Sequence, residues 1–379
     1  TMVYRIKKDG TKEEVDANKI KRAVNKSAGR VMYRFTDDEI NFICKYATDR
    51  AEAMSRERKG GKIMIQDMHN IVEGALEQVN PAVAKSYRDY RNYKVDFIHM
   101  MDEVYTKSQS IRYIGDKSNA NTDSALVATK RSLIFNELNK ELYRKFFMNR
   151  NELQACKDGY IYIHDQSARL DTMNCCLFDV GSVLRGGFEM GNVWYNEPKT
   201  LDTAFDVMGD IILSTAAQQY GGFTVPEVDK ILSPYAQKSY NKYYEEFLKY
   251  SDPSWEGREE KGRVYAWEKV CRDCDQGWQG IEYKLNTVGS SRGDYPFVTV
   301  TLGLGTGRFE KMISKSLLKV HMGGQGKAGH KKPVLFPKIV FLYDEEIHGD
   351  GKECEDVFEA GVACSAKTMY PDWLSMSGQ

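Results

Sequence analysis

The stretch PFVTVTLGLGTG, residues 296–307, sets an apolar strand directly against a glycine-rich turn. Threonine and valine alternate through VTVTL, as a pleated segment requires, and glycine then ends the run. A second apolar strand follows at VLFPKIVFLY, residues 334–343, and further strand segments lie upstream at YIYIHD, residues 160–165, and around MNCCLFDV, residues 173–180. Between them run helical patterns: an amphipathic segment near residues 203–219, a tyrosine-rich charged helix after Pro234, and another over residues 264–287. Strands and helices alternating at this rhythm predict an α/β architecture for the body of the chain.

Composition narrows what such a body can be. The 379 residues carry 54 acidic and 54 basic side chains, for a net charge of zero, which argues against a protein that mainly coats nucleic acid or an anionic membrane. No apolar run reaches the length of a membrane span, and the opening MVYRIKKDG does not read as a signal peptide, so cytoplasm is the expected compartment. Eight scattered cysteines lack the spacing of a disulfide framework and are expected as reduced thiols.

The first hundred residues read as a separate module, ahead of the α/β body over 101–379. Two short segments around Asp9-Gly10 form a hairpin pattern. Helical spacing then takes over through Ile20, Val24 and Ala28, and Thr36 to Glu39 is a capping box opening a second helix. A third helix carries Met68, Ile71 and Ala75, and a fourth begins at Asn80-Pro81, where proline's missing N–H costs nothing. Lys7, Lys8, Glu13, Lys19, His69 and Lys94 are placed where the hairpin and helix ends can converge, a set suited to a triphosphate with its ribose or purine. By pattern alone, a solvated basic face is the better account of them.

Three motifs carry less than they promise. Cys271 and Cys274 form a CxxC without a second pair, in helical register with Trp267, Val270 and Trp278, so they read as packed structural cysteines. The GLGTG turn lacks the spacing of a dinucleotide fingerprint. In GGQGKAG, residues 323–329, Lys327 is followed by Ala328 and not by the Ser or Thr that a magnesium ion needs, which excludes a Walker loop. No metal site is expected from these residues.

Two cysteine positions remain. ACSAKTMYPDW, residues 363–373, places Cys364 in what reads as a polar, proline-broken loop, presented and not packed. In MNCC, adjacent strand residues point to opposite faces, so only one of Cys175 and Cys176 can face a given cavity.

YRIKKDGTKEEVDANKIKRAV, IQDMHNIVEGAL and VAKSYRDYRNYK together resemble the ATP-cone, the regulatory domain at the front of many ribonucleotide reductases. That resemblance implies ATP and dATP as effectors and puts Lys7, Lys8, Glu13, Lys19, His69 and Lys94 on nucleotide-binding positions; the family often has arginine where Lys8 stands. MNCC, LRGGFEMGN, AQQYGGFTVPEVDKILSPY, YPFVTVTLGLGTG, LFPKIVF and ACSAKTMYPDW resemble, in the same order, the catalytic subunit of class III anaerobic ribonucleoside-triphosphate reductases. This implies part of a ten-stranded α/β barrel, ribonucleoside triphosphate substrates, a radical-SAM activating enzyme and a homodimer or higher oligomer. It also implies that Cys364 sits on a finger loop and becomes a thiyl radical that takes the ribose 3′-hydrogen. The resemblance further implies that Cys175 faces the substrate and donates a hydrogen equivalent, with formate as the final reductant.

The same resemblance places a second half-barrel, a zinc site and a radical-storing glycine after Gln379, so the chain is expected to be incomplete for catalysis. Two alternatives stay open: a nucleotide-sensing regulatory protein without catalysis, and another glycyl-radical enzyme such as an acyl lyase, which the cone and MNCC disfavour.

Overall fold

The computed structural model describes residues 4–6, 10–58, 61–113, 125–169, 173–287 and 293–377. Lys7 and Lys8 lie outside them. The chain divides into two compact units, Thr1–Tyr105 and Thr106–Gln379.

In the first unit, β1 (Tyr4–Ile6) pairs antiparallel with β2 (Lys12–Glu14). Helix α1 (Ala17–Arg30) starts where Asp16 accepts the Asn18 N–H at 2.8 Å. Helix α2 (Asp37–Glu57) opens on the expected capping box: Glu39 accepts from the Thr36 amide at 2.8 Å, and the Thr36 hydroxyl accepts from the Glu39 amide at 3.3 Å. Strand β3 (Lys62–Met64) then returns parallel to β1 and completes a sheet of order β2-β1-β3. Helices α3 (Ile65–Val79) and α4 (Pro81–Tyr113) follow; residues of α4 up to Tyr105 belong to this unit. Asn80 caps α4 by accepting from the Ala82 and Val83 amides. Val24, Ile43, Ala47, Ile63 and Leu76 are fully buried where the helices meet, so this unit closes a core of its own.

The second unit begins with α5 (Val127–Phe146) and α6 (Arg150–Lys157). YIYIHD is not a strand. The Tyr160 and Ile161 amides return to Ala155 O at the end of α6, and both tyrosines are largely exposed. Alternation alone does not make a strand where no neighbour supplies hydrogen bonds.

The chain then builds β4 (Cys176–Leu177), α7 (Val180–Leu184), a small hairpin of β5 (Phe188–Met190) and β6 (Val193–Tyr195), and α8 (Leu201–Gln218). Next come β7 (Phe223–Val225), α9 (Val228–Tyr250) and α10 (Arg258–Leu285). Helix α9 starts six residues before Pro234 and carries the proline inside it, so the expected boundary is corrected. The last elements are β8 (Val298–Leu302), α11 (Arg308–Gly323), β9 (Lys338–Tyr343), α12 (Glu345–His348), α13 (Glu355–Thr368) and β10 (Asp372–Ser375).

Strands β4, β7, β8, β9 and β10 form one sheet in order β10-β9-β8-β7-β4, every pair parallel. Each new strand is laid beside the one before it and the order never reverses. Because parallel crossovers are right-handed, a sheet that grows in one direction collects its helices on one face. Phe223, Val225, Val298, Val300, Ile339 and Phe341 point to that face and are buried in one cluster with α8 to α11 and α13. The opposite face carries no helix layer among these elements, as expected for part of an α/β barrel and not for a doubly wound sheet.

Trp278 anchors the helix layer. Its indole packs 5.0 Å from the Phe205 ring and donates to Ile313 O at 3.2 Å. Cys274, one turn earlier on α10, is buried with its thiol pushed up by desolvation, and Cys271 packs partly against the same core. GGQGKAG follows α11 instead of leading into a helix, and an isolated bridge between Gln325 and Lys332 closes this loop ahead of β9. Among the described residues, no helix is long and apolar enough to cross a membrane, and no three metal-ligating side chains converge.

Candidate functional sites

In the first unit, α1 presents Lys19, Arg22, Lys26 and Arg30 at intervals of three and four residues, the spacing that aligns side chains on one helix face. Helix α4 presents Tyr87, Tyr90, Arg91 and Lys94 at the same spacing. With His69 of α3 they line a cavity of about 460 Å³. Ser86 holds the two helices in register by donating to Ser27 O at 3.0 Å. Among the described residues, six cations, one imidazole and no carboxylate line the walls. Such one-signed convergence in a concave site raises the local positive potential well above that of a flat basic surface.

The detail within the cavity suits an anion with an aromatic group attached. Tyr87 is buried and its hydroxyl lies 2.8 Å from His69 Nδ1, which fixes the imidazole. The Arg30 guanidinium lies 3.9 Å from the Tyr90 ring centroid. Lys19 and Glu13 form an ion pair, so Glu13 stands beside the cavity through its partner. Of the expected residues, Lys19, His69 and Lys94 therefore line one cavity, and Glu13 borders it. Sequence reasoning missed Arg22, Lys26, Arg30 and Arg91. Their signal was the continuation of Lys19 and Lys94 along their own helix faces, in KIKRAVNKSAGR and YRDYRNYK.

In the second unit, pairing registers assign each strand residue to a face. Cys176 lies opposite Phe223 and packs against the helix-covered core. Cys175 precedes the strand and is exposed, and continuing the alternation of β4 back by one residue puts it on the other face. Leu177, Thr224, Thr299 and Lys338 form one row across that open face, with Thr301 and Val340 in the row above.

Cys175 is held from both sides. The Gly221 amide donates to Asn174 O at 2.8 Å, the Tyr220 amide donates to Met173 O at 3.2 Å, and the Asn174 side chain donates to Asp165 at 3.1 Å. A Cβ on Gly221 would lie 2.8 Å from the Cys175 sulfur and 2.6 Å from Asn174 O. Only glycine permits the approach.

Cys364 requires a correction. It lies within α13, not on a loop, and it is fully buried in the cluster that includes Ile339 and Phe341. Burial pushes its thiol up, and Thr368 one turn on lies 3.6 Å from the sulfur. The sheet separates it from the face that bears Cys175. The polar letters of SAKT misled because Lys367 faces outward while Ser365 and Thr368 are half-buried and donate to Pro371 O and Tyr370 O; Pro371 falls after the helix ends.

The GLGTG turn joins β8 to α11, as a phosphate loop would, yet its amides are already engaged. Asp229, fully buried on α9, accepts from the Gly303 and Gly305 amides, each at 3.2 Å, and from the Ser314 hydroxyl at 3.3 Å. Desolvation outweighs these bonds and raises the carboxyl's pKa. Asp229→Ala should strand two buried amides and destabilise the unit by roughly 2–4 kcal/mol. Urea denaturation reads this as a lower midpoint, and an unchanged midpoint would show that the turn holds without the carboxylate.

Comparison with known proteins follows the same division. The ATP cone domain family matches residues 3–95, and the family described as anaerobic ribonucleoside-triphosphate reductase matches residues 118–379. The anaerobic ribonucleoside-triphosphate reductase of Haemophilus influenzae is 32% identical over 381 residues, covering 98% of this chain and 52% of that protein. That of Enterobacteria phage T4 is 36% identical over 261 residues, covering 68% of this chain and 41% of its own. The crystal structure of the anaerobic ribonucleotide reductase from Thermotoga maritima with glycerol in the active site shares the fold at a TM-score of 0.51 and 15% identity, over 76% of this chain and 50% of that one. The chain thus spans about half the length of the curated relatives it matches. Matched over most of its length by one family and preceded by a cone, the chain belongs to the anaerobic ribonucleoside-triphosphate reductase family.

Proposed function

We propose that this chain serves the anaerobic reduction of ribonucleoside triphosphates to deoxyribonucleoside triphosphates, under control of ATP and dATP bound in the first unit. The observation that carries the reductase half is the placement of Cys175 on the open face of the parallel sheet, beside a row of threonines and Lys338. A thiol there can supply a hydrogen equivalent to a ribose as its 2′-hydroxyl leaves as water. Lys338 contributes positive charge on the same face for an anionic substrate.

Cys364 takes no part in that step. We assign the 3′-hydrogen abstraction to a thiyl on another cysteine of the assembled enzyme, one able to approach the open face. Formate is the final reductant in this scheme, a radical-SAM enzyme generates the glycyl radical, and the working form is a homodimer or higher oligomer. The scheme also calls for a radical-storing glycine and a zinc site, neither of which we assign to a residue of this chain. In this reading the regulatory module takes residues 1–100 and the barrel portion residues 101–379.

The effector half is testable on the chain itself. Lys94→Ala should raise the dissociation constant for ATP and dATP at least about tenfold, the effect of losing one charge-assisted contact of about 1.5–3 kcal/mol. Equal calorimetric binding by wild type and variant would leave the lysine as part of a solvated basic face.

A further inference from the structure

We propose that Glu73 is a built-in counter-ion of the cavity in the first unit, and that it weakens polyphosphate binding by competing for Arg91. The inference rests on the reading of that cavity as a nucleotide site. Glu73 and Glu77 lie one turn apart on α3, facing Arg88 and Arg91 of α4. Arg88 pairs with both carboxylates, and Arg91 Nη1 lies 2.9 Å from Glu73 Oε2. Two cations and two anions are thus cross-linked into a cluster of zero net charge.

Of the four, only Arg91 lines the cavity. Its side chain and that of Glu73 are each only 17% exposed, so solvent screens their interaction poorly. Glu73 does two opposed things to a ligand. It helps orient the guanidinium, and it places a negative charge just behind the cavity wall. Orientation has a second source, because Arg91 Nη1 also donates to Asn70 at 3.3 Å. The charge has none. Repulsion from Glu73 acts on every phosphate at once, so it dominates for a highly charged ligand and grows with the number of phosphates. Glu73 therefore sets the concentration at which the cavity fills and blunts its preference for triphosphates over less charged nucleotides.

Calorimetry on the 379-residue chain with ATP, ADP and AMP tests this. Glu73→Gln should bind ATP three- to tenfold more tightly than wild type, with a smaller gain for ADP and the smallest for AMP. Glu77→Gln, which touches Arg88 but not Arg91, should stay within twofold of wild type for all three. Glu73→Asp keeps the charge and withdraws it from Arg91; its gain should fall between wild type and Glu73→Gln, and it carries the test if the amide variant fails to fold. Unchanged or weaker ATP binding by Glu73→Gln, or an equal gain for all three nucleotides, overturns the counter-ion role while the nucleotide site stands. Failure of the wild-type chain to bind ATP removes the site itself, and the inference with it.

Discussion

Cys175→Ser should abolish deoxyribonucleotide formation in any preparation of this protein that reduces ribonucleotides, lowering turnover by at least about three orders of magnitude. A serine hydroxyl keeps the size and the hydrogen-bonding capacity of the thiol, but its O–H bond is too strong to yield a hydrogen equivalent to a carbon-centred radical. The loss should therefore fall on turnover and spare nucleotide affinity. Cys364→Ala is the matched control. Its sulfur lies in the helix-facing core, so truncation should lower stability by about 1 kcal/mol and leave turnover within about threefold of wild type. Turnover lost through Cys364 and kept through Cys175 would reverse the assignment of faces.

The second large effect is expected at the cavity of the first unit. Lys26 lies on α1 and Lys94 on α4, on opposite walls. Each supplies one ammonium without a fixed donor geometry, so their contributions to binding a polyphosphate should be close to additive. Lys26→Ala combined with Lys94→Ala should weaken ATP binding about a hundredfold, from two contacts of at least about 1.5 kcal/mol each. Neither side chain is part of the helical core, so thermal stability should hold. An effector acts only through its unequal affinity for two states. The same double variant should therefore lose dATP control while basal reduction persists.

The sequence made these elements legible to different degrees, for physical reasons. The first unit could be read almost helix by helix, because its caps are local: Thr36 with Glu39, and Asn80 before Pro81, each need only neighbours in the chain. The strands VTVTL and KIVFLY could be read from their apolar runs bounded by turn residues, and both find parallel partners in the sheet. YIYIHD failed because strand formation depends on a partner that periodicity does not reveal. Alternation left Cys175 and Cys176 as alternatives and the resemblance pointed to Cys175; the register puts Cys176 against Phe223 on the core side, which supports that choice. Cys364 was misplaced because a polar helix surface and a polar loop share a composition; only the packing of α13 distinguishes them. The cavity was half legible. Its outer lysines stood out, while Arg22, Arg30 and Arg91 looked like ordinary surface charge until two helix faces were seen to oppose each other.

The opposite-face placement of the two cysteines is tested most directly by differential alkylation of the native chain under argon. Limiting iodoacetamide, followed by denaturation, a second isotopic label and peptide mass spectrometry, reports the order in which thiols react. Cys175, exposed on the open face, should take the first label, while Cys364 should take only the second, since burial both shields its sulfur and pushes its thiol up. First-label modification of Cys364 at the rate of Cys175, or protection of Cys175 in the native chain, would contradict the account.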